Sequence, residues 1–156
     1  MAQGPTPPFA ARVLAVQALY QAHTRGEVEI RETISEFLGA ALHDRLHAIG
    51  AKSCDQGLFT RVSQGAFTQS TQLDDMILGV LNQGWQLDRL DPVLHALLRA
   101  AAYELGQEDA TAPQKLIAQY LQIAEGFFQG REPGLVNATL DALGRALHPQ
   151  AFADGR

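Results

Sequence analysis

The chain has 156 residues, the size of one ordinary domain, and its 12 lysines and arginines against 17 acids leave a net charge of −5. With 46% apolar and 19% charged residues it can build a packed core, which excludes wholesale disorder, and no apolar run approaches the roughly 20 residues of a membrane span. The acidic balance argues against strong non-specific nucleic-acid binding, the single Cys54 excludes an internal disulfide, and Met1–Phe9 has no signal-peptide pattern, so a cytoplasmic location is expected.

Helical periodicity runs almost throughout, so the expected fold class is all-α, with residues 1–8 a flexible Pro-rich leader, 9–148 a single helical domain and 149–156 a flexible tail. The first helix, Phe9 to Thr24, is apolar round most of its girth, as a helix buried on several sides should be. Arg12 and Arg25 are the only charges before Glu27, a local +2 against −7 for the remainder. The pattern Ile30, Ile34, Phe37, Leu38, Ala41, Leu42 predicts a second helix from Glu29 to Leu46. Asp55 reads as the N-cap of a third, with Leu58, Phe59, Val62 and Ala66 inward. Leu73, Met76, Ile77, Val80 and Leu81 define a fourth, stopped by Asn82 to Gly84. Asp91 as N-cap and Pro92 at the first position open a fifth, carrying Val93, Leu94, Leu97, Leu98, Ala101 and Leu105. Thr111 and Pro113 start a sixth, Gly130 to Gly134 reads as a turn, and Leu135 to Leu147 as the last helix. About seven helices with short connections predict a compact bundle of two three-helix-type halves, joined near Gly84 to Asp91.

The chain has no Walker loop, dinucleotide-binding glycine pattern or G-x-S-x-G elbow, which disfavours the common cofactor enzymes, and no cofactor or catalytic residue is assigned. His43 and His47 share a helix face, but without the glutamate of H-E-x-x-H or a third ligand they predict no metal site and read as a solvated face. Cys54 has only Lys52 nearby to lower its pKa. Asp74 and Asp75, about 100° apart on a helix, read as surface charges. More informative is the row Val13, Gln17, Tyr20, Thr24 on the first helix, with Arg12 at its N-terminal end. Amides can bond base edges, a tyrosine ring can stack a base, and an arginine with free backbone N–H groups can hold phosphate. In the competing reading Gln17 and Gln21 face water and Tyr20 packs into the core with its hydroxyl at the rim.

The segment Ala11-Arg12-Val13-Leu14-Ala15-Val16-Gln17-Ala18-Leu19-Tyr20-Gln21 resembles the opening helix of the NusB family of bacterial transcription antitermination factors. Trp85 to Leu105, Pro113 to Ile117 and Leu135 to Asp141 are similar to that family's later segments, in the same order. The resemblance implies an all-helical, non-enzymatic protein that binds boxA-type single-stranded RNA together with the ribosomal protein acting as NusE, within the antitermination complex on RNA polymerase. It places RNA on the first helix, at Arg12, Gln17 and Tyr20, and NusE around Leu94, Tyr103 and Gln119. Leu94 lies 100° from Val93 and reads either as partly exposed there, suited to an apolar protein interface, or as a simple core residue. Where the family carries an arginine-rich stretch this chain has Pro5 to Ala11 and keeps only Arg12. Ala118-Gln119 replace Asn-Glu, and Arg131 stands in a turn where an acid is common, which the resemblance puts near the first helix and thus near RNA. The alternative is a NusB-like protein-interaction module with little RNA binding of its own. A third reading, the leading domain of a ribosomal RNA cytosine methyltransferase, would require an S-adenosylmethionine domain for which these residues leave no room.

Overall fold

A computed structural model of the chain describes residues 4–81, 84–108 and 111–153. Among the described residues it contains eight α-helices, two short 3-10 turns and no strand, and no helix is long and apolar enough to cross a membrane. The helices divide into two compact units, residues 1–68 and 69–156.

In the first unit α1 spans Pro7–Thr24 and starts two residues ahead of the expected Phe9, within the stretch read as a flexible leader. Thr6 caps it by accepting the Phe9 N–H, and Pro7 and Pro8 occupy the first turn, where a missing N–H costs nothing. Ala10 to Val16 are buried without a break, so no side of these turns faces water. α1 packs along α4 (Gln56–Thr68) and against α2 (Arg31–Leu38). The continuous second helix expected from Glu29 to Leu46 is two helices, α2 and α3 (Leu42–Ala48). Gly39 ends α2 at ψ −143°, and a Cβ there would stand 3.1 Å from the Ser35 carbonyl oxygen. Apolar spacing continues across that break and hides it from the sequence. Phe37 stacks on Phe59 of α4 at 5.7 Å, and the Arg45 guanidinium of α3 lies 3.6 Å over the Phe37 ring. Gly50, at φ +72°, turns the chain into the connector before α4. That connector is held against α1: Asp55 N–H donates to the Pro7 carbonyl at 3.0 Å, and Gly4 sits so near Gly50 that a Cβ would lie 2.7 Å from its oxygen. Asp55 then caps α4, as expected, accepting the Leu58 N–H at 3.0 Å.

The second unit is built on α6 (Pro92–Leu105), which packs against α5 (Ser70–Val80), α7 (Pro113–Phe127) and α8 (Glu132–Leu147). Asp91 caps α6 by accepting the Val93 N–H at 2.8 Å, with Pro92 in the first turn. Small residues at Ala96, Ala100, Ala101 and Ala102, all buried, let the neighbouring helices come close. Because α5 packs on α6 and α8, the division between units falls after Thr68 and not in the segment Gly84 to Asp91. α8 starts at Glu132, so Arg131 is its N-cap position and the expected turn ends sooner; Pro133 fits the first turn and Glu132 favours the helix dipole there. Beyond α8, Pro149–Phe152 form a 3-10 turn whose Phe152 ring is buried, where the sequence predicts a flexible tail. Gly144 makes that docking possible: a Cβ there would meet Phe152 at 3.0 Å and Ile117 at 3.1 Å. Residues 1–3 of the expected leader, Asn82 of the expected helix stop and residues 154–156 of the expected tail lie outside the described residues.

Candidate functional site

The water-facing side of α1 is short and polar because the rest of the helix is core. Tyr20 is 37% exposed, Gln17 and Gln21 are half-buried on the same side, and His23 and Thr24 are exposed at the C-terminal end. Val13, first in the row read from the sequence, is buried, so the reachable surface runs from Gln17 to Thr24. The Gln21 Nε2 is enclosed and bonds to nothing among the described residues, so this amide nitrogen is turned away from solvent. A stackable ring beside an amide can hold a base by its face and its edge.

The phosphate grip expected beside it is differently built. Arg12 is only 3% exposed and is engaged within the protein, so it is not a surface cation. The N-terminus of α1 has no spare donors: Pro7 and Pro8 lack an N–H, Phe9 N–H goes to Thr6 Oγ1 and Ala10 N–H to the Thr6 carbonyl. Arg25 donates to Glu36 at 2.7 Å with Glu27 at 3.6 Å, and the bond from Glu36 holds its guanidinium above the ordinary value. The local +2 read from the sequence is therefore absorbed inside the fold. Arg131, in the second unit, is exposed and its guanidinium lies 4.6 Å over the Trp85 ring.

The residues expected to meet a partner protein are mostly interior. Leu94 is 1% exposed and Tyr103 8%, while Gln119 is half-buried and engaged. Val93, not Leu94, takes the outward position 100° away, so the partly exposed reading of Leu94 is corrected: its side chain is core. On α6 the sequence reading missed a polar cluster. Asp74 of α5 accepts from His95 Nε2 at 2.8 Å and from Arg99 Nε and Nη2 at 2.9 and 2.6 Å. Partial burial pushes the Asp74 carboxyl up, but the bonds and charges of Arg99 and His95 outweigh it and hold it well below the usual carboxylate range. Asp74 is thus an inter-helix tie and not the free surface charge expected, while Asp75 is exposed. The signal was present as His95 and Arg99 at i, i+4 on one face of α6, opposite an acid on the preceding helix.

Burial and then the Asp55 charge push the Cys54 thiol up, away from a nucleophilic thiolate. His43 and His47 are both exposed on α3. Among the described residues no three His, Cys, Asp or Glu side chains gather to hold a metal ion.

Comparison with known proteins bears on this surface. The profile of the NusB family matches residues 10–145. A transcription antitermination protein NusB from Granulibacter bethesdensis is 41% identical, over 96% of this chain and 94% of its own length. One from Rhodospirillum rubrum is 35% identical, over 94% of this chain and 87% of its own. Among solved structures, T. maritima NusB superposes with a TM-score of 0.75 at 24% identity, covering 97% of this chain and 99% of that one. A structure of antitermination factors NusB and NusE in complex with dsRNA gives 0.68 at 20% identity, covering 88% and 96%. These two likenesses establish the fold.

Proposed function

The chain belongs to the NusB family, and from that premise we propose that it is a transcription antitermination factor of ribosomal RNA synthesis. In this reading it binds boxA-type single-stranded RNA through the exposed side of α1, together with the ribosomal protein acting as NusE, and catalyses no reaction. The observation that carries it is the Tyr20 ring, reachable on a helix that is otherwise core, beside the half-buried Gln17. Tyr20 stacks a base, Gln17 bonds a base edge, and backbone phosphate is held weakly because Arg12 and Arg25 are committed elsewhere. Arg131 is kept as a second RNA contact, its guanidinium already flattened against Trp85. Of the three residues assigned to NusE, Leu94 and Tyr103 support the docking surface from beneath, and Gln119 lies nearest to solvent.

The second reading, a protein-interaction module with little RNA binding, is favoured by one observation: among the described residues the first turns of α1 themselves supply no surface cation, Arg12 being buried and engaged, and no free N–H. Titration of labelled boxA RNA with and without the NusE-type ribosomal protein separates the two. We expect weak binding by this chain alone and a tighter ternary complex. Binding of the ribosomal protein with no RNA affinity in either state would leave the interaction module as the function.

A further inference from the structure

We propose that Lys52 makes the phosphate contact at the N-terminal end of the α1 surface, the part that the sequence assigns to Arg12. The inference rests on the RNA-binding reading above. Residues 1–68 hold six basic and six acidic side chains, so the first unit has no net charge and what matters is which of its cations are free. Arg12 is buried and engaged, Arg25 is paired with Glu36, Arg31 with Glu29 at 2.9 Å, and Arg45 lies over Phe37. Lys52 and Arg61 are exposed and have no ion-pair partner among the described residues.

The backbone distinguishes these two. Lys52 lies in the connector between two points that are fixed to the segment leading into α1: Gly50, packed on Gly4, and Asp55, whose N–H bonds the Pro7 carbonyl. Lys52 is therefore held near the segment that leads into α1, about 20 Å along the helix axis from Tyr20, and its exposed side chain on a flexible stem is the cation we place on the path of a strand continuing from the Tyr20 ring. Arg61 is six residues past the Asp55 tie, and the rise of α4 has carried it about 9 Å away. A lysine suits the task, because its compact ammonium on a flexible stem meets phosphate as a point charge. The acid nearest in sequence, Asp55, has its Oδ1 committed to the Leu58 N–H. Such a contact is blind to base identity: it sets the register of the strand, while Tyr20 and Gln17 touch the bases.

The test is a titration of boxA RNA and of a scrambled RNA of equal length over a series of KCl concentrations, using the parent chain, Lys52→Gln, Arg31→Gln and Tyr20→Ala. Lys52→Gln should weaken both RNAs at low salt and make the slope of log K against log salt shallower by about 0.7, one phosphate on a single strand. Arg31→Gln removes the same formal charge from a cation already neutralised by Glu29 and should leave the slope unchanged. A parent-like slope for Lys52→Gln, with Tyr20→Ala still weakened, overturns the Lys52 assignment and leaves the RNA reading standing. No salt-dependent binding by the parent chain overturns both.

Discussion

Leu94 and Arg12 mark the two ways in which a residue's type misleads about its reach. A leucine at the start of a helix, one step from Val93, has the sequence of an exposed anchor, yet it is 1% exposed. Leu94→Ala should therefore cost about 2–5 kcal/mol of stability, read as a fall in melting temperature. Any loss of partner binding by Leu94→Ala should match the loss of folded protein; a variant that stays fully stable and loses only the partner would return Leu94 to the surface. Arg12 counts as +1 in any sum over the sequence and stays in the net charge of its unit, but a buried and engaged guanidinium cannot reach a phosphate outside. Composition cannot separate these cases, because it assigns every charge to solvent. Tyr20 was the legible residue: its place in a polar row on an apolar helix left two readings open, and its exposure favours the reachable ring.

At the scale of elements, the legible features are those with local causes. Asp55, Asp91 and Pro92 mark helix starts by their own chemistry, and all three do so in the structure. The division of the predicted second helix at Gly39 and the docked turn after α8 were not legible, since both depend on what packs against them. Gly144→Ala tests the second. The added methyl meets Phe152 and Ile117 and should cost about 1–3 kcal/mol, and the same change in a Phe152→Ala background should cost less. Equal costs in both backgrounds would show that the ring is not docked on Gly144. The Asp74 tie between α5 and α6 gives a pH dependence. A carboxyl held low in the folded state and near 3.9 when unfolded stabilises fully above that unfolded value, and the contribution is lost as pH falls through the folded value. Asp74→Asn should then cost about 2 kcal/mol at pH 7, with the gap to the parent narrowing progressively as pH falls below about 4. A gap independent of pH would mean that the charge of Asp74 plays no part.

For the whole molecule the deciding quantity is where the charge lies. The first unit is neutral and residues 69–156 carry the entire −5, so the chain has no long-range attraction for RNA and must depend on a few short contacts. The slope of log K against log salt should correspond to one to three phosphates, about −0.7 each; a slope implying six or more would require a basic surface elsewhere, such as one around Lys115 or Arg99.

The central claim is that the exposed side of α1 meets RNA through the Tyr20 ring, and the affinity of folded Tyr20→Ala for boxA RNA tests it most directly, with Tyr20→Phe beside it. The account predicts a loss on the order of 1–3 kcal/mol for the alanine, a much smaller loss for the phenylalanine, and an unchanged far-UV circular dichroism spectrum for both. An alanine variant that melts at lower temperature but binds RNA as the parent does would contradict it.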